Sequence, residues 1–199
     1  SAKPITGCED EAAAILIDRI KELGLPYEIV LSGNPPASPL PVVSDPGGKC
    51  LDGRQPSTEK RPNIIIKLKA ASKNGPQLKP MMVVAHMDVV PAIKQVWSPG
   101  IEPHKFTEKD GFFYGRGVMD MLGYLSISLE LFGEIQKSQI PLDRDLILML
   151  NSDEEKGGYN GLGWLAANKP ELFKDVELAF SEGGATVAVV ERKSFDNLL

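Results

Sequence analysis

The segment Met81-Met82-Val83-Val84-Ala85-His86-Met87-Asp88 decides the fold, because a continuous apolar run leads directly into two polar side chains. An uninterrupted apolar run of this length is typical of a strand that is buried on both faces of a parallel sheet. His86 and Asp88 lie two residues apart, so an extended backbone would direct their side chains to the same side. The segment therefore predicts a central strand that presents an imidazole and a carboxylate at its carboxyl end.

Outward from this strand, apolar runs alternate with helical patterns along the chain. Strands are predicted at 27–31, 63–68, 81–85, 146–150, 176–180 and 187–190, and helices at 11–23, 123–136 and 159–168. This alternation predicts an α/β fold, a three-layer domain whose mostly parallel central sheet is flanked by helices. Residues 32–62 are rich in Pro, Gly, Ser and Asp, and we expect them to form a long surface loop or hairpin.

Four further carboxylates lie at the ends of apolar or glycine-rich segments, and these residues are Asp120, Glu154, Glu155 and Glu182. Ligands of open α/β sheets bind outside the carboxyl ends of the strands, so we expect the four residues to meet His86 at one edge. Taken singly, each has an ordinary explanation, such as a solvated acidic loop or a helix cap. Together, a histidine and several carboxylates predict a metal site with a catalytic carboxylate beside it.

The overall composition narrows the class of partner. The formal net charge is -5 and no basic stripe carries interleaved aromatic residues, which argues against a nucleic-acid partner. No apolar run approaches the roughly 20 residues that a membrane-spanning helix needs, so no membrane segment is expected. The chain begins with Ser1 rather than methionine, and both a cytoplasmic location and export with removal of a leader stay open.

The two cysteines and the second histidine give weaker signals. Cys8 and Cys50 are far apart and belong to no CxxC pair, which favours two free thiols over a disulfide. A bridge between them would indicate an exported protein. His104 lies in the polar stretch Glu102-Pro103-His104-Lys105 and is expected to be a surface-loop residue rather than a metal ligand.

Five short motifs follow one another in a fixed order, and they are Ala85-His86-Met87-Asp88-Val89-Val90-Pro91, Trp97, Asp110-Gly111-Phe112-Phe113-Tyr114-Gly115-Arg116-Gly117-Val118-Met119-Asp120-Met121, Asp153-Glu154-Glu155 and Glu182-Gly183-Gly184. Their combination resembles the M20 family of co-catalytic zinc metallopeptidases, which includes aminoacylase-1. The resemblance covers nearly the whole chain. It implies that residues 1–199 form one catalytic-type domain, the N-terminal part of a longer protein.

The resemblance also implies a metal-ligand set. His86 and Glu182 would bind one zinc ion, Glu155 would bind the other, and Asp120 would bridge the two. A complete site would hold two zinc ions, and this chain would hold one or two. A cis peptide bond often follows the bridging aspartate in this family, so Asp120-Met121 is a candidate for one.

For catalysis, the resemblance implies that Glu154 is the general base, while Asp88 fixes the ring of His86. The reaction would be hydrolysis of an amide bond in a small peptide or an N-acyl amino acid, with water activated by zinc.

Three departures from the family pattern leave other interpretations open. The family places a further zinc-binding histidine in a longer chain, and it inserts a smaller lid domain through which the full-length protein would form a homodimer; neither is present here. The chain also has Leu122 where the family commonly has lysine. The alternatives are an aminopeptidase of the M28 type, or a non-catalytic fragment or pseudoenzyme that binds metal or a partner. A nucleotide-binding domain is not supported, because no GxGxxG or P-loop follows a strand.

Overall fold

The computed structural model describes residues 4–33, 49–54, 56–57, 60–71, 78–92 and 97–182 of the 199-residue chain. The helices in these ranges are α1 (Glu9–Glu22), α2 (Leu122–Ser138) and α3 (Leu162–Asn168). The strands are β1 (Tyr27–Leu31), β2 (Pro62–Leu68), β3 (Met81–His86), β4 (Thr107–Lys109), β5 (Phe112–Tyr114), β6 (Leu146–Asn151) and β7 (Leu178–Phe180). The strand predicted at 187–190 lies outside the described residues.

A mixed sheet in the order β1-β2-β6-β3-β7 forms the centre of the fold. Strand β2 runs antiparallel to both β1 and β6, whereas β6, β3 and β7 are parallel to one another. The predicted α/β class is therefore confirmed, with one strand of this sheet reversed. That reversal was invisible in the sequence, because a strand buried on both faces has the same apolar pattern in either direction.

Helices cover both faces of the sheet and complete three layers. Alternate residues of β2 and β6, such as Ile64 and Leu148, pack on one side against Leu125 and Phe132 of α2 and against α1. On the other side, Met149 and its neighbours pack against Leu165 of α3. All six residues of β6 are buried, as expected for the central strand of a sheet that is covered on both faces. None of the helices in the described part of the chain is long and apolar enough to cross a bilayer.

The pairing of β3 with β6 positions the polar residues that follow these strands. The two strands are parallel and in register, with Met81 opposite Leu146 and His86 opposite Asn151. Their carboxyl ends therefore lie side by side. The amide of Met87 donates to the carbonyl of Asn151 (2.8 Å), which extends the contact beyond the last strand residues.

The other elements match the sequence prediction to within about two residues at each end, and two larger differences remain. The helix predicted from residue 159 begins only at Leu162, because a short 3-10 helix and a tight glycine turn occupy the residues after β6. The hairpin of β4 and β5 was not predicted, since strands of three residues are too short to show an alternating apolar pattern.

The expectation of two free thiols was wrong, because Cys8 and Cys50 form a disulfide. Local spacing gave no signal for it, since the bridge joins residues 42 positions apart. The segment after Cys50 returns to the start of α1, where the amide of Leu51 donates to the Glu11 carboxylate (2.6 Å). The bridge is buried together with Ile5 and Val89. Most of the loop or hairpin predicted at 32–62 lies outside the described residues, and the single-domain organisation of 1–199 stays a prediction.

We predict that replacing both cysteines by alanine lowers the free energy of unfolding by about 4 kcal/mol, because the bridge restricts the unfolded chain over a long loop. Urea unfolding of the oxidised protein and of the double variant measures this difference. Thiol titration of the unfolded, unreduced protein supplies the control. Two reactive thiols per chain in protein prepared under oxidising conditions would show that the bridge does not form.

Candidate metal centre

The imidazole of His86 is held from behind and offers one nitrogen to the site. The residue is 1% exposed, and its Nδ1 lies 2.8 Å from the main-chain carbonyl oxygen of Asp88. Because a carbonyl oxygen only accepts hydrogen bonds, Nδ1 carries the hydrogen and donates it. The Nε2 atom therefore faces the carboxylates, at 2.9 Å from Glu182 Oε1 and 3.1 Å from Asp120 Oδ1.

Two overlapping sets of side chains bring possible ligand atoms within 4.8 Å of one another. One set contains His86, Asp120 and Glu155, and the other contains His86, Glu154 and Glu182. The structure thus brings together every metal-binding residue that the sequence predicted. One imidazole nitrogen with several carboxylate oxygens is a donor set that suits zinc, so the residues fit the predicted metal. His104 is half-buried in the turn before β4 and belongs to neither set among the described residues.

Asp88 was predicted to fix the His86 ring; its carbonyl oxygen makes that contact, while its carboxylate binds other groups. It is completely buried, and its Oδ1 lies 3.6 Å from His86 Nδ1, so the ring is fixed by the Asp88 carbonyl instead. Its Oδ1 accepts a hydrogen bond from the amide of Glu154 (3.1 Å), and its Oδ2 accepts one from the amide of Glu155 (3.3 Å). The hydroxyl of Thr6 donates to the same Oδ2 (2.8 Å). Asp88 therefore holds the turn that carries the two glutamates.

Asp120 reaches the site from the segment that leads into α2. The Asp120-Met121 peptide bond is cis, as the resemblance implied. The backbone of Gly117 has a φ of +89° and lies so close to Val89 and Leu122 that an added Cβ would be 2.9 Å or less from each. Leu122, at the position where lysine was expected, is partly buried against the cluster around the Cys8 disulfide. Its apolar side chain thus has a packing role that a lysine could not fill in the same way.

A tight turn after β6 carries Glu154 and Glu155. Asp153 has a φ of +68°, an uncommon conformation for a residue with a side chain. The amide of Gly158 donates back to the Asp153 carbonyl (2.6 Å), which closes the turn. Gly161 lies against the main chain of Ser152, where a Cβ would be 1.8 Å from the carbonyl oxygen. No other residue type fits at that position without moving the turn.

The carboxylates lie close enough to shift one another's titration. Burial, with the nearby charge of Asp120, raises the pKa of Glu155 to about 6. Burial also raises the pKa of Glu182, together with Asp120 and Glu154. Burial would lower the pKa of His86, but the charges of its carboxylate neighbours outweigh burial and raise it above its usual value. In the metal-free site the clustered negative charge therefore favours the protonated forms of these groups.

A cavity of about 280 Å³ opens beside this cluster. His86 and Glu154 line it together with Leu162 and the glycine turn. Asn151 also lines it, and its buried Oδ1 has no hydrogen-bond partner among the described residues. The cavity therefore has an apolar wall on one side and the predicted base on another.

Sequence reasoning missed the residues that support the site from behind. Glu9, which lies before the predicted start of the first helix, is 1% exposed and pairs with Arg61. Asp153 directly precedes the two glutamates in the sequence, and it is buried against the same arginine. Thr6 had no signal at all. These contacts join residues more than 50 positions apart, so a local sequence pattern could not predict them.

Comparisons with known proteins found a matching family model and several relatives. A model of peptidase family M20/M25/M40 matches residues 82–192. A cysteinylglycine-S-conjugate dipeptidase from Corynebacterium striatum is 34% identical over 140 residues, which cover 70% of this chain and 29% of that protein. An N-fatty-acyl-amino acid synthase/hydrolase (PM20D1) from Bos taurus is 36% identical over 108 residues, which cover 54% of this chain and 20% of that protein.

The fold itself recurs in solved structures. The crystal structure of human carnosine dipeptidase 1 matches with a TM-score of 0.63 at 19% identity, over 91% of this chain and 34% of that one. The chain thus spans about a third or less of the length of these three proteins.

We predict that the metal-free protein loses stability as the pH rises from about 5 to 7. A carboxyl group whose pKa is raised in the folded state stabilises the fold at low pH, and this contribution is lost as the pH rises through about 6 for Glu155. His86, with its raised pKa, acts in the same direction. Urea unfolding with a chelator at pH 5 and pH 7 measures the effect.

Glu155→Gln is the matched variant for this measurement, because it keeps the shape of the side chain and removes its titration. We expect the free energy of unfolding of the variant, minus that of the parent protein, to be larger at pH 7 than at pH 5. Identical pH dependence in the two proteins would contradict the assignment of a raised pKa to Glu155.

Proposed function

Because the chain belongs to peptidase family M20/M25/M40, we propose that it carries the metal-binding and proton-transfer residues of an enzyme that hydrolyses amide bonds. One observation carries this proposal. The Nε2 atom of His86 lies within 4 Å of carboxylate oxygens from three separate segments of the chain, and these oxygens belong to Asp120, Glu154 and Glu182. So many acids around one imidazole are unfavourable unless a cation balances them.

We propose zinc as the metal, with two ions in the complete site. His86 and Glu182 would hold one ion, Glu155 would hold the other, and Asp120 would lie between them. The overlap of the two ligand sets at His86 supports neighbouring cation positions. Zinc bound there would lower the pKa of water towards about 7 and polarise the scissile carbonyl.

Glu154 is the proposed general base. Its side chain is half-exposed and faces the cavity, and its Oε2 lies 3.7 Å from His86 Nε2. It would take a proton from the attacking water and pass it to the leaving amine, a role that contributes about 10²–10⁴-fold to rate. The hydrogen bond from its amide to Asp88 fixes the backbone from which this side chain extends.

The proposed substrate is a dipeptide or an N-acyl amino acid. The names of the two relatives, a dipeptidase and an N-fatty-acyl-amino acid hydrolase, support this class. Leu162 gives the cavity an apolar wall against which an apolar part of such a substrate could pack. The buried disulfide supports an oxidising, exported location over a cytoplasmic one. A homodimer formed through an inserted domain stays a prediction from the family resemblance.

A second candidate function is metal binding without catalysis. It is favoured by the composition of the site, where His86 is the one histidine of the ligand sets found among the described residues. Metal content measured together with turnover of a dipeptide separates the two candidates, since both bind metal and only one hydrolyses the substrate. Two zinc ions per chain would support the hydrolytic site, one would support a half-site, and none would contradict both.

We predict that Glu154→Gln abolishes hydrolysis by the complete protein while zinc stays bound, because the amide cannot take up the proton. Turnover of a dipeptide, measured together with metal content, tests this. Undiminished turnover would remove Glu154 as the base. Loss of zinc in the variant would show instead that Glu154 is a ligand.

We also predict that His86→Ala lowers zinc occupancy, because the variant loses the nitrogen shared by both ligand sets. Elemental analysis after dialysis against zinc measures the occupancy. Lys137→Ala at the exposed end of α2 serves as the control and should keep the parent value. Equal occupancy in His86→Ala and in the control would show that His86 is not a ligand.

A further inference from the structure

We propose that Arg61, paired with Glu9, is a positioning residue for Glu154 and Glu155: it holds Asp153 in the backbone conformation that directs both glutamates to the metal centre. The inference rests on the proposed function, since Glu154 and Glu155 are the base and a ligand there. Arg61 and Glu9 touch neither the cavity nor the ligand atoms. Their effect would pass through Asp153.

Arg61 and Glu9 form a buried, two-pronged ion pair. Their side chains are 6% and 0% exposed. The Nη2 of Arg61 donates to Glu9 Oε1 (2.5 Å), and its Nε donates to Glu9 Oε2 (3.1 Å). A paired fork of this kind fixes the orientation of both groups, which a lysine ammonium would not do.

The same guanidinium reaches the turn that carries the glutamates. Nη2 of Arg61 lies 2.9 Å from Asp153 Oδ1. Oε1 of Glu9 accepts a hydrogen bond from the Asp153 amide (3.2 Å). The other carboxylate oxygen of Asp153 accepts from the amide of Asn160 (2.8 Å). Asp153 is therefore held at its main chain and at both oxygens of its side chain.

Asp153 needs such support because of its backbone. Its φ of +68° belongs to the left-handed region, which residues with a side chain rarely adopt. The next two amides, those of Glu154 and Glu155, both donate to Asp88. A relaxed Asp153 would rotate these amides away from Asp88 and carry the two side chains with them. The ion pair thus stabilises the conformation on which the site depends.

The charges of this region also suggest a role beyond packing. The Arg61 guanidinium balances Glu9 and Asp153, and it lies near the buried carboxylate of Asp88 as well. Apolar residues of similar volume often stabilise a fold as well as a buried ion pair does. Such residues could not hold the Asp153 carboxylate and amide at a fixed angle. A positioning role therefore explains why charged residues, rather than apolar ones, are buried here.

The test compares Arg61→Met and Arg61→Lys with the parent chain and with Arg19→Met. Arg19 makes a similar two-pronged pair with Glu130, at 2.7 Å for both contacts, but on the exposed surface between α1 and α2. It is therefore a matched control for loss of an arginine–carboxylate pair away from the site. Two quantities are measured on the 199-residue chain: Co²⁺ affinity with its visible absorption spectrum, and amide hydrogen exchange of 152–158 in the metal-free protein.

We expect Arg61→Met to weaken Co²⁺ binding about tenfold or more, in line with other residues that orient metal ligands. Its Co²⁺ spectrum at saturation should change, and exchange in 152–158 should become faster. Arg61→Lys should recover part of the affinity, and Arg19→Met should match the parent protein. A purely structural role would lower the unfolding temperature without altering the spectrum of the bound metal.

Glu9→Gln is the second variant if Arg61→Met does not fold, because it keeps the volume of Glu9 and removes its charge. A folded Arg61→Met or Glu9→Gln protein with the parent spectrum and with affinity within about twofold would overturn the positioning role alone. Parent chain that binds no Co²⁺ would overturn the metal centre of the proposed function, and the positioning role with it. Changed spectra in both variants beside an unchanged Arg19→Met would support the inference.

Discussion

The buried carboxylate of Asp88 is the contact on which the rest of the site depends. It joins the N-terminal segment, through Thr6, to the turn after β6, through the amides of Glu154 and Glu155. The carbonyl of the same residue orients the His86 ring. The parallel register of β3 and β6 brings the ends of the two strands together. The contacts of Asp88 then fix the side chains that follow these ends.

The site combines rigid support with excess negative charge. The groups behind it are buried and hydrogen-bonded, whereas Asp120 and Glu154 are half-exposed or more. Supporting residues that cannot relax keep the carboxylates close together, and burial raises the pKa of Glu155 to about 6. A cation that binds between these carboxylates would reduce their mutual repulsion, and the rigid support means that the side chains are already in position.

Much of this arrangement could be predicted from the sequence. The features that could not be predicted all depend on contacts between distant segments. The apolar run that ends in His86 and the run before Glu154 predicted the strands and the edge where their ligands meet. The reversed direction of β2, the disulfide of Cys8 and the depth of Arg61 could not be predicted in the same way. Each depends on which distant segment becomes a neighbour, and periodicity within one segment contains no information about that.

The N-terminal segment shows how stability and function are connected in this chain. A cluster of buried charges, namely Glu9, Arg61, Asp88 and Asp153, is expensive to desolvate, and burial raises the pKa of Glu9 despite its arginine partner. Immediately before Glu9, Cys8 ties the start of α1 to Cys50, and a loop closure of this size stabilises a fold by about 4 kcal/mol. The bridge packs against Val89, next to Asp88, and Ile5 pairs with the same valine. The disulfide therefore lies directly behind the groups that are costly to bury, and it helps the fold to keep those charges close to the candidate metal centre.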